Sequence, residues 1–393
     1  MRALADRQAR IYLGGQFFSL FGDTVLLLAM AIWVKELTGS TSAAGLTFLF
    51  LTAPTLLAPA AGVLVDRVRR RPLLLAVNVI MSLAVLPLLA VHGAGQVWLI
   101  YAVTVVYGAA FLLLSSGESA LLAVMLPDEM LGEANSALAL IRSITRLAAP
   151  LVGAALFVTI GPRAVVLIDS ATFVIGAAAI AMLTVHEARP HRTAERWRQQ
   201  LLGGIRHLRQ VAELRQLVVA CAIGWSVLGL AETVVFAVVA GLHRPPAFIG
   251  VLVCVQGAGA VIGAVSAPQM MRRYAEGPLV AISLIAGGAA WAAQTLAVLW
   301  LTVSALFVVG LTLSWLSVGT NTLIQRRTPT ELLGRVDSVA SISVSAPQTV
   351  FIGLGAAMVA VIDYRWLLAA MTVAMTISGG WLLSRTEQGL LVA

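Results

Sequence analysis

Six charged side chains lie within otherwise apolar stretches of this 393-residue chain. They are Asp23, Glu118, Arg142, Arg146, Asp169 and Glu232. A charge among apolar groups is costly unless it is paired or hydrated, so each of these residues is a candidate for handling protons or a charged ligand. Opposite charges at one depth of neighbouring helices can also pair, and the spacing suggests Asp23 with Arg146 and Glu118 with Arg142.

Carboxyl groups in this setting are suited to exchanging protons. Burial favours the neutral acid and a nearby arginine favours the carboxylate, so a small change of surroundings can move a proton on or off. We therefore predict that five residues take part in proton coupling: Asp23, Glu232, Glu118, Arg142 and Arg146. A static ion pair is the alternative role for Glu118 and Arg142, and for Asp169 we expect a structural hydrogen-bonding role.

The elements that must position these residues are membrane-spanning helices. Hydrophobic residues make up 60% of the chain and charged residues 11%, which is too little polar surface for a soluble protein of this length. The apolar runs are long enough to cross a bilayer as helices, whereas barrel strands would be shorter and would alternate in polarity. We predict an all-α protein with twelve spans, at 11–37, 42–65, 73–92, 97–125, 133–160, 163–185, 214–241, 247–271, 277–297, 299–324, 336–361 and 364–384.

Two long segments of the chain repeat each other at an offset of 202 residues. The repeated positions are Gly108, Gly117, Pro127, Glu129, Leu131, Gly132, Ser136, Gly153 and Arg163, which recur as Gly310, Gly319, Pro329, Glu331, Leu333, Gly334, Ser338, Gly355 and Arg365. Duplicated halves of hydrophobic helices are typical of secondary transporters, whose site lies between the halves. We predict two pseudo-symmetric six-helix bundles, 1–186 and 214–393, joined by a basic cytoplasmic linker, 187–213, with an amphipathic stretch that lies on the inner leaflet.

Cationic side chains are distributed by membrane side. Of the 26 lysine and arginine residues, 20 fall in alternate loops and at the two ends, and four, Lys35, Arg163, Arg244 and Arg365, fall on the opposite side. Because cytoplasmic loops carry the excess of positive charge, we predict that both ends are cytoplasmic. The strong preference for arginine over lysine indicates a bacterial genome rich in GC, and therefore the bacterial inner membrane.

Several classes of function are disfavoured by what the sequence lacks. Cys221 and Cys254 both lie in predicted spans, and no histidines are spaced like metal ligands, so we expect no disulfide framework and no metal site. The sequence has no nucleophile elbow and no phosphate loop, so we expect neither an enzyme nor a pump with its own ATP site. We expect a monomer without cofactor or nucleic-acid partner, which interacts with a small molecule, protons and lipid.

Residues 62–71 read Gly-Val-Leu-Val-Asp-Arg-Val-Arg-Arg-Arg. They resemble the Gly-x-x-x-Asp-Arg-x-Gly-Arg-Arg signature of the major facilitator superfamily, which lies between the second and third spans, with Arg69 in place of a glycine. The chain also resembles the superfamily's drug-exporter branch, which includes macrolide efflux proteins and enterobactin exporters. This second resemblance rests on Gly22-Asp23, Thr38-Gly39-Ser40, Asp169 with Phe173, and residues 204–209 and 329–335. It implies the superfamily's fold and proton-coupled export.

Two motifs are candidates for gating. In the loop motif, Gly62, Asp66, Arg67 and Arg70 are expected to form a latch, because the Asp66 carboxylate can meet a helix N-terminus or a guanidinium when the two halves are close on the cytoplasmic side. Alternatively, the arginines of this loop only enforce topology, Arg71 above all. In the fifth span, Pro150 and Gly153 belong to a relaxed form of an element that the superfamily's antiporters carry. They either bend the helix or let another helix pack closely.

Nine residues, two of which are also proton-coupling candidates, are expected to line a cargo cavity. They are Asp23, Phe17, Phe21, Glu232, Phe236, Gln256, Trp315, Asn321 and Gln348. A mostly hydrophobic cavity with few polar groups suits bulky amphipathic molecules better than sugars, although each aromatic side chain has packing or lipid contact as its alternative. We predict a proton-coupled exporter of drugs, macrolide-like compounds or siderophores that works by alternating access. The alternatives are an importer or lipid flippase of the same fold, and a non-transporting membrane receptor.

Overall fold

The computed structural model describes residues 6–57, 65, 68–185 and 197–390. Within these residues the chain forms α-helices and short 3₁₀ helices and contains no strand. We number the α-helices α1 (Arg7–Thr38), α2 (Thr41–Thr52), α3 (Arg70–Ala84), α4 (Val97–Met125), α5 (Asp128–Ile160), α6 (Pro162–Ala181), α7 (Trp197–Gln210), α8 (Ala212–Gly241), α9 (Ile249–Tyr274), α10 (Glu276–Gln294), α11 (Leu299–Arg327), α12 (Thr330–Met358) and α13 (Tyr364–Leu390). The predicted all-α fold is confirmed.

Eleven helical segments of the described chain are long and apolar enough to cross a membrane. A further apolar helical segment is described over Thr41–Leu57, and within it α2 gives way to a 3₁₀ helix over Ala53–Leu57 that contains Pro54. The third predicted span changes in the same way, since α3 ends at Ala84 and a 3₁₀ helix with Pro87 follows. Proline lacks a backbone donor and its ring clashes with the preceding turn, so it ends regular α-helix at both places.

The repeat is also present in the helices. α4, α5 and α6 begin at residues 97, 128 and 162, and α11, α12 and α13 begin at residues 299, 330 and 364, each 202 residues later. The repeated glycines allow close helix crossings at equivalent places. A Cβ on Gly108 would collide with the carbonyl oxygen of Leu51 on α2, and a Cβ on Gly310 would collide with that of Gln256 on α9. These glycines are repeated because the backbones approach too closely for any side chain.

The chain divides into two units, and the first contains the described residues of 1–40 and 50–193. In this unit α1 packs against α5 and α6, and α3 packs against α4 and α6. The carboxylate of Asp6 caps the start of α1 by accepting a hydrogen bond of 2.8 Å from the amide of Ala9. The helix ends at Gly39, whose φ of 66° lies in the left-handed region that glycine adopts without strain.

The second unit contains residues 41–49 and the described residues of 194–393. Here α8 packs against α12 and α13, and α10 packs against α11 and α13, which repeats the pattern of the first unit. The first part of α2 also packs in this unit. The Ser42 hydroxyl donates a hydrogen bond to the Ala356 carbonyl, and Gly45 packs directly on Thr233. The predicted boundaries would have assigned these nine residues to the first bundle.

The amphipathic stretch of the linker contains helix α7. This helix packs against α12, and a Cβ on Gly204 would lie 2.9 Å from Cγ2 of Val339. Nε2 of His207 lies 3.2 Å from the carbonyl oxygen of Arg327, the last residue of α11. One face of α7 therefore rests on protein, in addition to any face that it presents to the lipid surface.

Candidate functional site

A cavity of about 280 Å³ lies within the first unit. Helices α1, α3, α4 and α5 line it, and their contributions are Gln16, Ser19, Leu20, Asp23, Thr24, Asn78, Phe111, Leu114, Ser115, Glu118, Arg142, Thr145 and Arg146. The cavity thus brings together four of the five residues predicted for proton coupling. We call it the first-unit cavity.

Asp23 has a different partner from the one expected. Arg146 forms no ion pair with Asp23. Instead, Asp23 is hydrogen-bonded to Tyr107 of α4, whose Oη lies 2.8 Å from Oδ1 of Asp23. The same Oη lies 3.0 Å from Oδ1 and 3.1 Å from Oδ2 of Asp169 on α6. All three side chains are buried, and Asp169 is 0% exposed. We call this group the Asp23–Tyr107–Asp169 triad.

Glycines bring α1 close enough to α6 to form the triad. A Cβ on Gly22 would lie 2.9 Å from Oδ1 of Asp169. Two turns earlier on α1, a Cβ on Gly15 would lie 2.6 Å from the Cβ of Ala179. Small residues at such spacing let two membrane helices approach closely along one face. The sequence element Gly22-Asp23 therefore supplies both the carboxyl group and the close approach to α6 that it needs.

The contacts within the triad require one proton more than two ionised carboxylates and a neutral phenol hold. A phenol has a single proton to donate, and an ionised carboxylate can only accept. If both aspartates were ionised, Tyr107 would bond one of them, and its contact with the other would join two oxygens with no proton between them. With one carboxyl group protonated, that group donates to the phenolic oxygen and Tyr107 donates to the other carboxylate. The geometry therefore accommodates one extra proton between Asp23 and Asp169.

Glu118 and Arg142 form the ion pair expected from their spacing. Nη2 of Arg142 lies 2.9 Å from Oε2 of Glu118, and 5% of the Glu118 side chain is exposed against 48% of the Arg142 side chain. Their equivalents in the repeat are Thr320 and Val344, and the Thr320 hydroxyl instead lies 3.1 Å from Sγ of Cys221. The fold thus forms the same helix pair without the charges.

Glu232 lies on α8 in the second unit, one turn away from the position equivalent to Asp23. The repeated glycines align the two helices, because a Cβ on Gly153 would lie 3.1 Å from the Cα of Val25 and a Cβ on Gly355 would lie 3.3 Å from the Cα of Leu230. This pairing gives an offset of 230 − 25 = 205, so that Glu232 corresponds to residue 27, four beyond Asp23. The triplets Asp23-Thr24-Val25 and Glu232-Thr233-Val234 are similar in sequence, but by this alignment they do not occupy equivalent positions.

The predicted cargo residues of the second unit have varied surroundings. The Phe236 ring is buried and packs against Phe48 at a centroid distance of 6.3 Å, and Nε1 of Trp315 donates a hydrogen bond of 2.9 Å to the Ser266 hydroxyl. The three amides differ in exposure: Gln256 and Gln348 are half-buried and Asn321 is exposed. On α1 of the first unit, Phe17 and Phe21 stack with centroids 6.1 Å apart, beside the lining residues of the first-unit cavity but not among them.

The gating candidates are only partly described. Gly62, Asp66 and Arg67 lie outside the described residues, and Arg70 is the first residue of α3. Arg71 donates to the carbonyl oxygens of Ile180 and Ala181 at distances of 3.2 and 2.8 Å, so it satisfies the C-terminal end of α6. In the fifth span, Pro150 lies inside α5 and is buried, and Gly153 packs on α1, which gives both residues a packing role.

Sequence inspection did not single out Tyr107. The available signal was the pattern of Asp169 followed four residues later by Phe173, because both side chains contact this tyrosine. The Phe173 ring packs against the Tyr107 ring with centroids 5.8 Å apart. Tyr107, Asp23 and Asp169 lie in three different predicted spans. Their contact is therefore recognisable only after the packing of α1, α4 and α6 is known.

Comparisons with known proteins agree with this architecture. Macrolide efflux protein A of Streptococcus pyogenes is 28% identical over 206 residues, which cover 51% of this chain and 50% of that protein. The match thus spans about half the length of this curated relative. Among solved structures, a bacterial homologue of the iron transporter ferroportin matches with a TM-score of 0.73 at 17% identity, covering 96% of this chain and 98% of that chain. A nucleoside transporter matches with a TM-score of 0.77 at 12% identity and the same coverage. The family model described as Major Facilitator Superfamily matches residues 12–336, and the chain therefore belongs to that superfamily.

Proposed function

We propose that this chain is a proton-coupled antiporter that exports lipophilic or amphipathic small molecules from the cytoplasm of a bacterium by alternating access. The observation that carries the proposal is the Asp23–Tyr107–Asp169 triad, because one of its members, Asp23, also lines the first-unit cavity. A proton site that opens onto a ligand cavity lets the two occupants influence each other, and this is the requirement for exchange.

The coupling works through the hydrogen bonds of Asp23. In the protonated triad one carboxyl group carries the extra proton and donates it to the phenolic oxygen, and Tyr107 donates its own proton to the other carboxylate. A cargo that places a hydrogen-bond donor or a positive charge against Asp23 favours its carboxylate form and displaces the proton. Asp169 remains covered by α1 and α4, and it stabilises the phenol in the orientation that serves Asp23.

Glu118 and Arg142 lie farther along the same cavity wall and provide a second response to cargo. Because the Glu118 side chain is buried and its guanidinium partner is half-exposed, a cargo can displace Arg142 more readily than Glu118. Arg146, on the same helix one turn later, adds a second positive charge to the wall. These two arginines favour cargo with an electronegative region, whereas Leu20, Phe111 and Leu114 favour apolar surface.

The cargo class follows from this mixed lining together with the relatives. The first-unit cavity is close to the lower end of typical ligand-pocket volumes, and its wall alternates apolar and hydrogen-bonding groups. Such a wall suits amphipathic molecules. The direction of transport is proposed from the similarity to the macrolide efflux protein, which covers about half of each chain.

Transport by the purified full chain in lipid vesicles tests the proposal. Vesicles are loaded with a lipophilic dye, a macrolide or a siderophore, and cargo movement is compared with and without an imposed proton gradient. We expect gradient-driven movement of at least one cargo by the native chain and none by Asp23→Asn. Asp337→Asn is the matched control, because this exposed carboxylate lies on α12 of the second unit and belongs neither to the triad nor to the first-unit cavity. Gradient-independent transport, or normal gradient-driven export by folded Asp23→Asn, would refute the proposal.

A further inference from the structure

A groove of about 270 Å³ lies between α8 and α13 in the second unit. Its lining consists of Arg215, Gln216 and Val219 from α8 and Trp381 and Arg385 from α13. Arg215 lies near the beginning of α8 and Arg385 lies near the end of α13. The two helices are therefore antiparallel here, and both arginines lie at the same end of the pair.

Neither guanidinium of the groove is neutralised by an acidic side chain among the described residues. Nη1 of Arg215 donates a hydrogen bond of 3.1 Å to the carbonyl oxygen of Arg209, and both Arg215 and Arg385 are exposed. The nearest acidic residue along α8, Glu213, is bonded to Arg327 of α11 at 2.8 Å. Two guanidinium groups beside one groove are suited to an anion, and a phosphate group matches their paired N–H donors.

An apolar stripe continues from the groove along each helix. On α8, Val219 and Ile223 follow Arg215 in steps of four residues, and both are exposed large hydrophobic residues. On α13, the exposed Ile377 precedes Trp381, again by four residues. Side chains four residues apart lie on the same face of a helix. Each helix thus presents one arginine near its end and aliphatic side chains towards its middle. On α13, Trp381 lies between the arginine and Ile377, and tryptophan is enriched where membrane helices cross the interface.

We propose that this groove binds an anionic phospholipid. The phosphate lies between Arg215 and Arg385, Trp381 packs at the level of the headgroup, and one acyl chain follows the stripe of Val219, Ile223 and Ile377. Basic pockets between membrane helices are typical sites for anionic headgroups. A free phosphate would use only the two guanidinium groups, so the aliphatic stripe that continues from them identifies the ligand as a lipid. This site is independent of the proposed transport function.

Retention of phosphatidylglycerol by the detergent-solubilised full chain tests the proposal. Bound lipid is counted by native mass spectrometry during titration, for the native chain and for Arg215→Gln/Arg385→Gln. We expect the double variant to bind phosphatidylglycerol roughly thirtyfold more weakly, from the attraction of two cations to one anionic headgroup. Because both arginines are exposed, the fold should persist. Arg215→Lys/Arg385→Lys provides a check on this point, since it keeps the charges and should retain most of the binding.

Two comparisons separate this site from general charge attraction and from a free-phosphate site. Arg272→Gln/Arg273→Gln removes the same charge from exposed positions at the end of α9, and it should bind lipid like the native chain. Inorganic phosphate and glycerol 3-phosphate should not displace the lipid at equal concentration, because they lack acyl chains. Unchanged retention by Arg215→Gln/Arg385→Gln, equal loss in the α9 variant, or full displacement by inorganic phosphate would each overturn the proposal.

Discussion

Replacing Asp23 with asparagine should abolish the pH dependence of cargo binding. The triad accommodates one extra proton, because a single phenolic hydroxyl is shared by two carboxyl groups. If a neutral cargo displaces that proton, one proton is released for each cargo bound. Binding then strengthens as pH rises, and the apparent Kd falls about tenfold per pH unit, or about 1.4 kcal/mol, over the range in which the free triad holds its proton.

Titration of a neutral macrolide-like cargo into the solubilised chain measures this slope. A neutral cargo is required so that its own charge does not vary with pH. Over two pH units within that range we expect the apparent Kd of the native chain to change about a hundredfold. Asp23→Asn keeps the size and much of the hydrogen bonding of the side chain but holds no exchangeable proton, so its Kd should stay constant with pH.

Two further variants decide where the proton lies. Asp169→Asn should also give a constant Kd, since the extra proton is shared between the two carboxyl groups, and Asp337→Asn should keep the native slope. A native slope in Asp23→Asn would show that the proton is released elsewhere. A native slope in Asp169→Asn together with a flat response in Asp23→Asn would contradict the shared proton and leave Asp169 as a positioning residue only.

Three other predictions concern stability and topology. Gly108→Ala should lower the free energy of unfolding by about 1–3 kcal/mol, because the new methyl group collides with a carbonyl oxygen of α2, whereas Gly132→Ala should be harmless since nothing lies within 4 Å of the added Cβ. Thermal unfolding in detergent compares the two, and equal losses would be inconsistent with the close crossing. Arg142→Gln should destabilise the chain by about 1–3 kcal/mol, more than Glu118→Gln does, because it leaves a buried carboxylate without its partner. The reverse order would contradict the observed burial. Gln388→Cys, in a background without native cysteines, should resist an impermeant thiol reagent added outside intact cells, and efficient labelling would reverse the predicted orientation.

The architecture could be predicted from sequence because length and composition determine which segments can cross a bilayer. A lipid-exposed segment must satisfy its backbone hydrogen bonds internally, so long apolar runs become helices whatever their detailed sequence. The internal repeat then predicted which helices of the two halves are equivalent, and α4, α5 and α6 begin 202 residues before α11, α12 and α13. The departures occur at Pro54 and Pro87, where the apolar pattern continues but the α-helix does not.

The candidate site could be predicted only in part, since depth in the membrane does not give helix rotation. Sequence position placed Asp23 and Arg146 at similar depth, and both do line one cavity. Asp23 does not pair with Arg146, because Gly22 lets α1 approach α6, and there Tyr107 of α4 lies within hydrogen-bond distance of both Asp23 and Asp169. The ion pair of Glu118 and Arg142 was easier to predict, because a short turn between adjacent helices constrains which residues face each other.

Comparison of the two halves indicates why the triad exists. The offset of 202 relates Tyr107 and Asp169 to positions 309 and 371, and the offset of 205 between α1 and α8 relates Asp23 to position 228. The residues at these three positions are Val309, Met371 and Leu228, all buried and all apolar. The same scaffold therefore packs without any of the polar groups. Buried polar and ionisable groups are often no more stabilising than apolar groups of similar volume, so stability alone does not account for the triad. Its restriction to one half fits the proposed proton-coupled transport, for which a single proton site beside one cavity wall would be enough to link cargo to the gradient.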